Sequence, residues 1–386
     1  LQKGRKNCCY LAPAGVGKTA LVVGLAQTIV AGNVPEYLKN ARVLEVDLAS
    51  MAAGTDSSAD FQGRFVPMCR GFAERYHYDE YPKFMELISH EFFHSWLVKA
   101  IAPASLFKPD LQNEVYTRDL WLYEGVTSYY DLKQLLKSNI VDLDHFLTEL
   151  SNNYSMLLIY NGNKLESLSD SSFNAWCGLY QANIDFVNTR TNYYRHGQIL
   201  IFWLELFMLL DHKTDLDHLL KTLWNKFGKT KMPLPEGADI IITEILGKGI
   251  LKPYVNSTKL PNLKPLLAKI GIEETKEPMK YDHKTGWFPE LQVYVDKKKF
   301  VVKRTLPKNK LQVDDEIIAI NDKRLTKENI QELVTEKKLK LTIFRDHNLK
   351  HININSSRFF NHKFASKKTL TSQQKSMQKK LGRVFK

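Results

Sequence analysis

The chain has 386 residues, of which 44% are hydrophobic, 25% charged and 11% aromatic, with four cysteines and a formal charge of +13. This composition excludes a wholly disordered, collagen-like or disulfide-scaffold chain, and the length points to two or three domains. Nine of the thirteen excess positive charges fall between Ser356 and Lys386, where there is no Asp or Glu, so the basic character belongs mainly to one end. No apolar run reaches the roughly 18 residues of a membrane span, and the longest candidate, Ile199 to Leu210, carries Glu205 in its middle. The first residues do not read as a signal peptide, and the chain opens on Leu1 rather than Met, which leaves the compartment open. Cys8, Cys9, Cys69 and Cys177 match neither a zinc knuckle nor a C-x-x-C pair. They read as reduced and structural, which favours the cytoplasm.

Up to about residue 65 the pattern is strand, Gly-rich turn, helix, then a second strand at Ala41 to Leu48. Ala12-Pro13-Ala14-Gly15-Val16-Gly17-Lys18-Thr19 lies between the first strand and the helix, the context a phosphate-binding loop requires. Backbone N–H groups around Gly15 and Gly17 would wrap the phosphates of ATP, Lys18 would reach the β/γ oxygens, and Thr19 would hold Mg²⁺. Ala12 stands where the first glycine of that loop is usual. Together with Gly24-Leu25-Ala26-Gln27, Gly32-Asn33-Val34-Pro35 and Val43 to Leu48, this segment resembles the first nucleotide domain of Clp-type AAA+ unfoldases. The resemblance implies ATP binding. It does not imply hydrolysis, because the acidic strand that should follow is missing and phosphoryl transfer needs those groups together.

From about Val66 to Ile270 apolar residues recur at helical spacing, as in Asp131 to Leu136, Phe146 to Leu158, Ile199 to Leu210 and Leu216 to Leu223. His90-Glu91-Phe92-Phe93-His94 is the most specific motif of the chain. Two histidines at i and i+4 share one helix face and can share a Zn²⁺, while Glu91 is directed toward the attacking water. A catalytic zinc needs a third protein ligand, and Glu124 in Trp121-Leu122-Tyr123-Glu124-Gly125 supplies a carboxylate 30 positions beyond His94 on a second helical segment. His90, His94 and Glu124 would form a His₂Glu peptidase site.

His90 to Trp96, Leu120 to Asp131, Ser167 to Trp176 and Tyr193-Tyr194-Arg195-His196-Gly197 follow, in order, the catalytic domain of the glycyl aminopeptidase family of gluzincin metallopeptidases, which this region resembles. The resemblance implies one Zn²⁺ per chain, peptide substrates with a free N-terminus, and Glu91 as general base. It also implies a tyrosine that stabilises the oxyanion, here Tyr194 with Tyr193 as the fallback, and His196 where Lys is usual. Two departures stand out. Trp96-Leu97-Val98-Lys99-Ala100-Ile101-Ala102-Pro103 lacks the family's asparagine and two arginines, and the β-rich N-terminal domain with its Gly-Gly-Leu-Glu segment is absent.

From about Glu273 to Asn355 the spacing changes to period two, with Leu291, Val293 and Val295 and then Leu339, Leu341 and Ile343. Asp315 to Asp322 resembles the strand-turn segment of PDZ domains, with Asp314 and Asp322 where Gly is common, and this implies a peptide ligand added to a sheet edge. No carboxylate-capturing loop is recognisable near Gly286-Trp287-Phe288-Pro289. The basic end is a candidate contact for an acidic partner.

The expected fold is multidomain α+β. A partial α/β P-loop fragment covers 1–65, a mainly α-helical gluzincin catalytic domain 66–272, a small β-rich PDZ-like domain 273–355, and a disordered basic tail 356–386. The expected function is zinc-dependent, aminopeptidase-like peptide hydrolysis. The rivals are an ATP-binding unfoldase fragment, separable by nucleotide titration, and a non-catalytic PDZ-like peptide binder, separable by peptidase assay.

Overall fold

The computed structural model describes residues 18–39, 41, 43, 81–108, 112–183, 185–212 and 214–382. The chain divides into two units, Leu1–Phe72 and Ala73–Lys386. In the first, helix α1 (Lys18–Val30) follows the expected loop and ends on Gly32 at a φ of 73°. Gly15, Gly17, the first strand expected around the phosphate loop and all of the second except Ala41 and Val43 lie outside the described residues, and Lys18 and Thr19 open the helix.

The second unit is built around helix α3 (Leu120–Lys137). Helix α2 (Tyr81–Phe93) packs against it on one side, and α4 (Leu143–Ile159), α5 (Leu168–Phe173), α6 (Tyr193–Phe207), α7 (Leu216–Leu223) and α8 (Ala238–Leu246) follow. The helical periods read from the sequence fall within α3, α4, α6 and α7, and their apolar faces, including Trp121, Tyr129, Phe146 and Phe202, merge into one core. Glu205, the charge inside the longest apolar run, is fully buried, and its Oε1 accepts from Lys133 Nζ at 2.7 Å. Lys137 Nζ donates to Asp217 at 2.8 Å and the Tyr130 hydroxyl donates to the same carboxylate, so the buried charges of α3, α6 and α7 are matched within the core. Among the described residues no helix is long and apolar enough to cross a membrane.

The period-two region folds as antiparallel strands around its own core. Strands β2 (Trp287–Phe288), β3 (Val293–Val295) and β4 (Val302–Thr305) form one sheet. Strands β5 (Glu316–Ile320), β6 (Lys323–Arg324), β7 (Lys338–Arg345) and β8 (Asn348–Asn355) form another in the order β6-β5-β7-β8. Asp314 and Asp322 adopt φ of 72° and 62°, a backbone region Gly enters freely and Asp tolerates. Around the segment searched for a carboxylate loop, Trp287 packs with Ile159, Met279 and Leu306 against the end of α4, while Phe288 is buried in the module's core. Asn188 Nδ2 donates to the Thr305 carbonyl at 2.6 Å, and the Tyr160 and Tyr294 hydroxyls meet at 3.2 Å.

Two expectations need correction. Cys177 is free as expected but exposed rather than packed; Cys8, Cys9 and Cys69 lie outside the described residues. The end of the chain is ordered through residue 382 rather than disordered from 356. Strand β9 (Phe360–Ser366) pairs along its length with β1 (Ile272–Pro278), and helix α9 (Ser372–Leu381) follows behind a Thr371/Gln374 capping box. The reason is alternation: His362 and Phe364 are buried toward α4 while Lys363 faces solvent and pairs with Glu277 at 2.5 Å. Ser155 Oγ accepts from the His362 N–H at 2.8 Å, and Leu381 joins the helical core. The β module is therefore carried between the two strands of a ribbon that belongs to the helical region.

Phe364→Ala is expected to lower stability by about 3 kcal/mol, the usual loss for a buried aromatic. Urea unfolding of the full-length chain measures it, and an unchanged midpoint would return the segment to a dispensable tail.

Candidate metal centre

Helix α2 is held by Met85 in the core, and its next turns bring His90 and His94 to one face. The His94 N–H bonds back to the His90 carbonyl at 3.3 Å, so the helical path persists one residue past Phe93. Glu124 comes from the second turn of α3, and its Oε2 lies 3.3 Å from His90 Nε2 and 3.4 Å from His94 Nε2. One donor atom from each of the three residues lies within 4.8 Å of the others. Glu124 Oε2 is buried and receives no hydrogen bond of good geometry from a described residue, although both imidazoles crowd it. Lone pairs converging on a common point, rather than on each other's protons, are what a cation requires.

The outer nitrogens are also held. His90 Nδ1 meets Asp131 Oδ2 at 3.0 Å, and His94 Nδ1 meets the Leu97 carbonyl at 3.3 Å. Asp131 follows Glu124 by seven positions, two helical turns, so one face of α3 reaches both sides of the His90 ring. The Leu97 carbonyl is presented by a tight turn in which Val98, a β-branched residue, takes a φ of 97° and its N–H bonds the Ile101 carbonyl at 3.0 Å. That is a strained conformation of the kind found where function fixes the backbone. Such partners orient metal-binding imidazoles and set which nitrogen is free. Asp131 was not singled out in the sequence; its signal is the seven-residue spacing from Glu124.

Without a cation the cluster stabilises a proton. Burial alone would pull the His90 pKa down, but Asp131 and Glu124 on its two nitrogens outweigh this and raise it to about 10. Burial pushes Glu124 up, yet the two imidazoles bring it down to about 2. Asp131 is raised to about 8 by burial, against the pull of His90. The donor set fits Zn²⁺, a borderline ion that takes two imidazoles and a carboxylate.

Helix α6 delivers the tyrosines. Asn192 Oδ1 accepts from the N–H groups of Tyr194 at 3.0 Å and Arg195 at 3.2 Å, capping the helix so that Tyr194 stands in its first turn. The Tyr194 ring stacks on His90 with centroids 6.1 Å apart. Tyr193 is fully buried behind it, with rings 4.9 Å apart. Burial lifts both hydroxyls well above the ordinary tyrosine value. His196 is fully buried away from the cluster against Thr191 at 3.2 Å, and burial lowers it to about 4. Glu91 is exposed beside the two histidines and forms no hydrogen bond or ion pair with a described residue. Of the expected site residues, His90, His94, Glu124 and Tyr194 are brought together, and Glu91 lies on the solvent side of the same helix.

Residues 83–200 match the family model of the M61 glycyl aminopeptidases. Among solved structures, the chain is similar to the crystal structure of an aminopeptidase N family protein from Idiomarina loihiensis, with a TM-score of 0.68 and 26% identity. That match covers 78% of this chain and 55% of the other, so the matched region spans about half of that structure. A short segment is 45% identical over 64 residues to the chaperone protein ClpB of Blochmanniella floridana, covering 17% of this chain and 7% of that protein. A segment is likewise 40% identical over 70 residues to the ATP-dependent Clp protease ATP-binding subunit ClpL of Staphylococcus aureus, covering 18% of this chain and 10% of that protein. Both resemblances read from the sequence stand: a glycyl aminopeptidase-like region and a short Clp-like segment.

Asp131→Asn is expected to weaken zinc binding about 10- to 100-fold while the fold is kept, measured by competition with a chromogenic chelator. Because His90 holds its proton up to about pH 10 in the metal-free protein, a metal must displace that proton, so affinity falls as pH falls. Calorimetric zinc titrations in two buffers of different ionisation enthalpy should report a net release of protons on binding at pH 7.5, and the absence of any release would overturn this.

Proposed function

We propose that this chain is a zinc-dependent metallopeptidase, aminopeptidase-like in its chemistry, with Glu91 as general base. The observation that carries the reading is the convergence of His90, His94 and Glu124, with an oxygen of Glu124 buried and without a hydrogen-bond donor among the described residues. Similarity to the glycyl aminopeptidases and to an aminopeptidase N family structure supports a peptidase, and peptides with a free N-terminus as its substrates.

When bound by these three side chains, Zn²⁺ supplies the Lewis acidity that polarises a scissile carbonyl and makes water acidic enough to attack near neutral pH. The chain's own groups do the rest. Glu91 accepts the proton of the attacking water and passes it to the leaving amine, for which its exposed position beside both histidines is suited. Tyr194 stays protonated far above neutral pH because it is buried, so its hydroxyl is a donor for the developing oxyanion. Asp131 and the Leu97 carbonyl hold the two imidazoles in the tautomer that leaves each Nε2 free. The β module serves as a packed brace against α4, since Trp287 and Phe288 are occupied by packing where a PDZ groove would need an open loop.

The Clp-like similarity favours a second, separate property: binding of ATP with Mg²⁺ at Gly15, Gly17, Lys18 and Thr19. A fluorescent-nucleotide titration of the whole chain tests it.

For the principal reading, Glu91→Gln should keep about one zinc per chain and abolish turnover of short unblocked peptides, whereas Tyr194→Phe should lower kcat about 10²- to 10³-fold, the usual effect of removing one oxyanion donor. Zinc content by elemental mass spectrometry and a peptide assay decide both. Full activity in Glu91→Gln would sink the assignment.

A further inference from the structure

Helix α6 places a cation directly beside Tyr194 that the chemistry above does not use. Arg195 is the next residue, and the backbone N–H groups of both are held by one cap, Asn192 Oδ1. Consecutive Cα atoms lie about 3.8 Å apart, so the arginine stem starts next to the residue whose ring stacks on His90. A guanidinium on so long a stem is ordinarily loose. This one is tied. Arg195 Nε donates to Asn153 Oδ1 of α4 at 2.9 Å, Asn153 Nδ2 donates to Gln198 Oε1 at 2.7 Å, and Gln198 Nε2 donates to the Ser128 carbonyl of α3 at 2.6 Å.

The direction of this relay is unambiguous. The carbonyl at one end can only accept and the guanidinium at the other can only donate, which orients both amides between them. Its inner end is fixed to the site: Gln198 is buried one turn along α6 from Tyr194, and Ser128 lies one turn along α3 from Glu124. The guanidinium is thus tied to the two helices that deliver the carboxylate ligand and the oxyanion donor. Only its Nε is used. Among the described residues Arg195 forms no ion pair and its two terminal nitrogens have no hydrogen-bond partner, although the side chain is partly buried. The other described arginines of the helical region are spent on carboxylates, Arg118 on Asp170 at 2.8 Å and Arg190 on Glu166 at 2.7 Å.

We propose that Arg195 is a specificity-determining residue whose terminal nitrogens grip a carboxylate of the peptide substrate near the scissile bond. This rests on the peptidase reading, and it adds a substrate class: peptides carrying a C-terminal carboxylate, or an Asp or Glu side chain, close to the cleaved end. The terminal N–H groups of a guanidinium match the two oxygens of a carboxylate, and such charge-assisted bonds are the stronger kind. Holding Nε leaves that fork available and removes rotamer freedom that binding would otherwise cost. An extended peptide advances about 3.3 Å per residue, so a carboxylate roughly two or three residues from the scissile bond lies within an arginine's reach of Tyr194.

The test uses the full-length, zinc-loaded chain carrying Glu91→Gln, so that bound peptide is not consumed, and titration calorimetry with three probes. Gly-Ala-Ala amide has no carboxylate, Gly-Ala-Ala has a terminal one, and Gly-Ala-Glu amide has one on a side chain. At least one of the last two should bind about tenfold more tightly than the first, the scale of one charge-assisted pair, and which of them does so identifies the source of the carboxylate. Adding Arg195→Gln, whose amide can still donate to Asn153, should reduce this ratio below about two, with affinity for the neutral peptide and zinc content within about twofold of the parent. Direct binding of the carboxylate to zinc would leave the ratio unchanged. Arg195→Lys keeps the charge but not the fork and should give an intermediate ratio of about three, which a loss of folding would not allow. Equal affinities for all three peptides in the parent, a ratio that survives both substitutions, or no binding of any peptide overturns the grip. The peptidase reading fails separately: a tenfold ratio without hydrolysis by the unsubstituted chain removes the reaction and keeps the grip, and hydrolysis without the ratio does the reverse.

Discussion

The candidate metal centre depends on two helices touching without side chains between them. A Cβ on Gly125 would lie 2.7 Å from the Gly197 backbone, and one on Gly197 would lie 2.6 Å from the Trp121 carbonyl. No real side chain fits such a gap, so α3 and α6 cross at backbone contact. Glu124 immediately precedes the first of these glycines, and Tyr194 stands three residues before the second. A wider crossing would carry the carboxylate away from the histidines and the tyrosine away from His90. The placement of Glu124 and Tyr194 relative to each other is therefore set by main-chain packing before any polar contact is counted.

Helix α3 then serves two chemistries on opposite faces. With about 100° per residue, Glu124 and Asp131 fall within about 20° of each other, while Lys133 lies about 180° from Glu124. The first face meets the imidazoles of α2; the second meets Glu205 of α6 and Asp217. Tyr130 links the two, stacking on Phe93 of α2 at 4.8 Å while its hydroxyl engages Asp217. Buried charges on both faces are matched by partners from other helices, which fixes the rotation of α3 as well as its distance.

Much of this was legible in the sequence because it is local. The His90–His94 spacing, the four helical periods and the alternation around Val293 and Leu341 are properties of short windows, and the folded chain contains the corresponding helices and strands. What escaped was non-local. Asp131 acquires its role only when α2 lies against α3, 41 residues back along the chain. Strand β9 has its partner 88 positions earlier, as the His362–Glu274 pair shows, and its buried His362 and Phe364 are outweighed in composition by nine basic residues without one acid. Charge composition reports solvation of the exposed positions and is silent about the buried ones between them.

The ribbon of β1 and β9 has a consequence for modularity. Its last register pair is Pro278 opposite Phe360, so the chain leaves and re-enters the helical region at two adjacent points. From the ribbon's side, everything between is one closed loop, and closure entropy grows only logarithmically, about 0.6 kcal/mol for each doubling of length. The helical region is thus nearly indifferent to the size of what it carries there. Any domain whose termini lie side by side meets the same geometric demand, as the present one does. The position has the geometry of a graft point, and the present cargo adds to it a packed contact on α4 through Trp287.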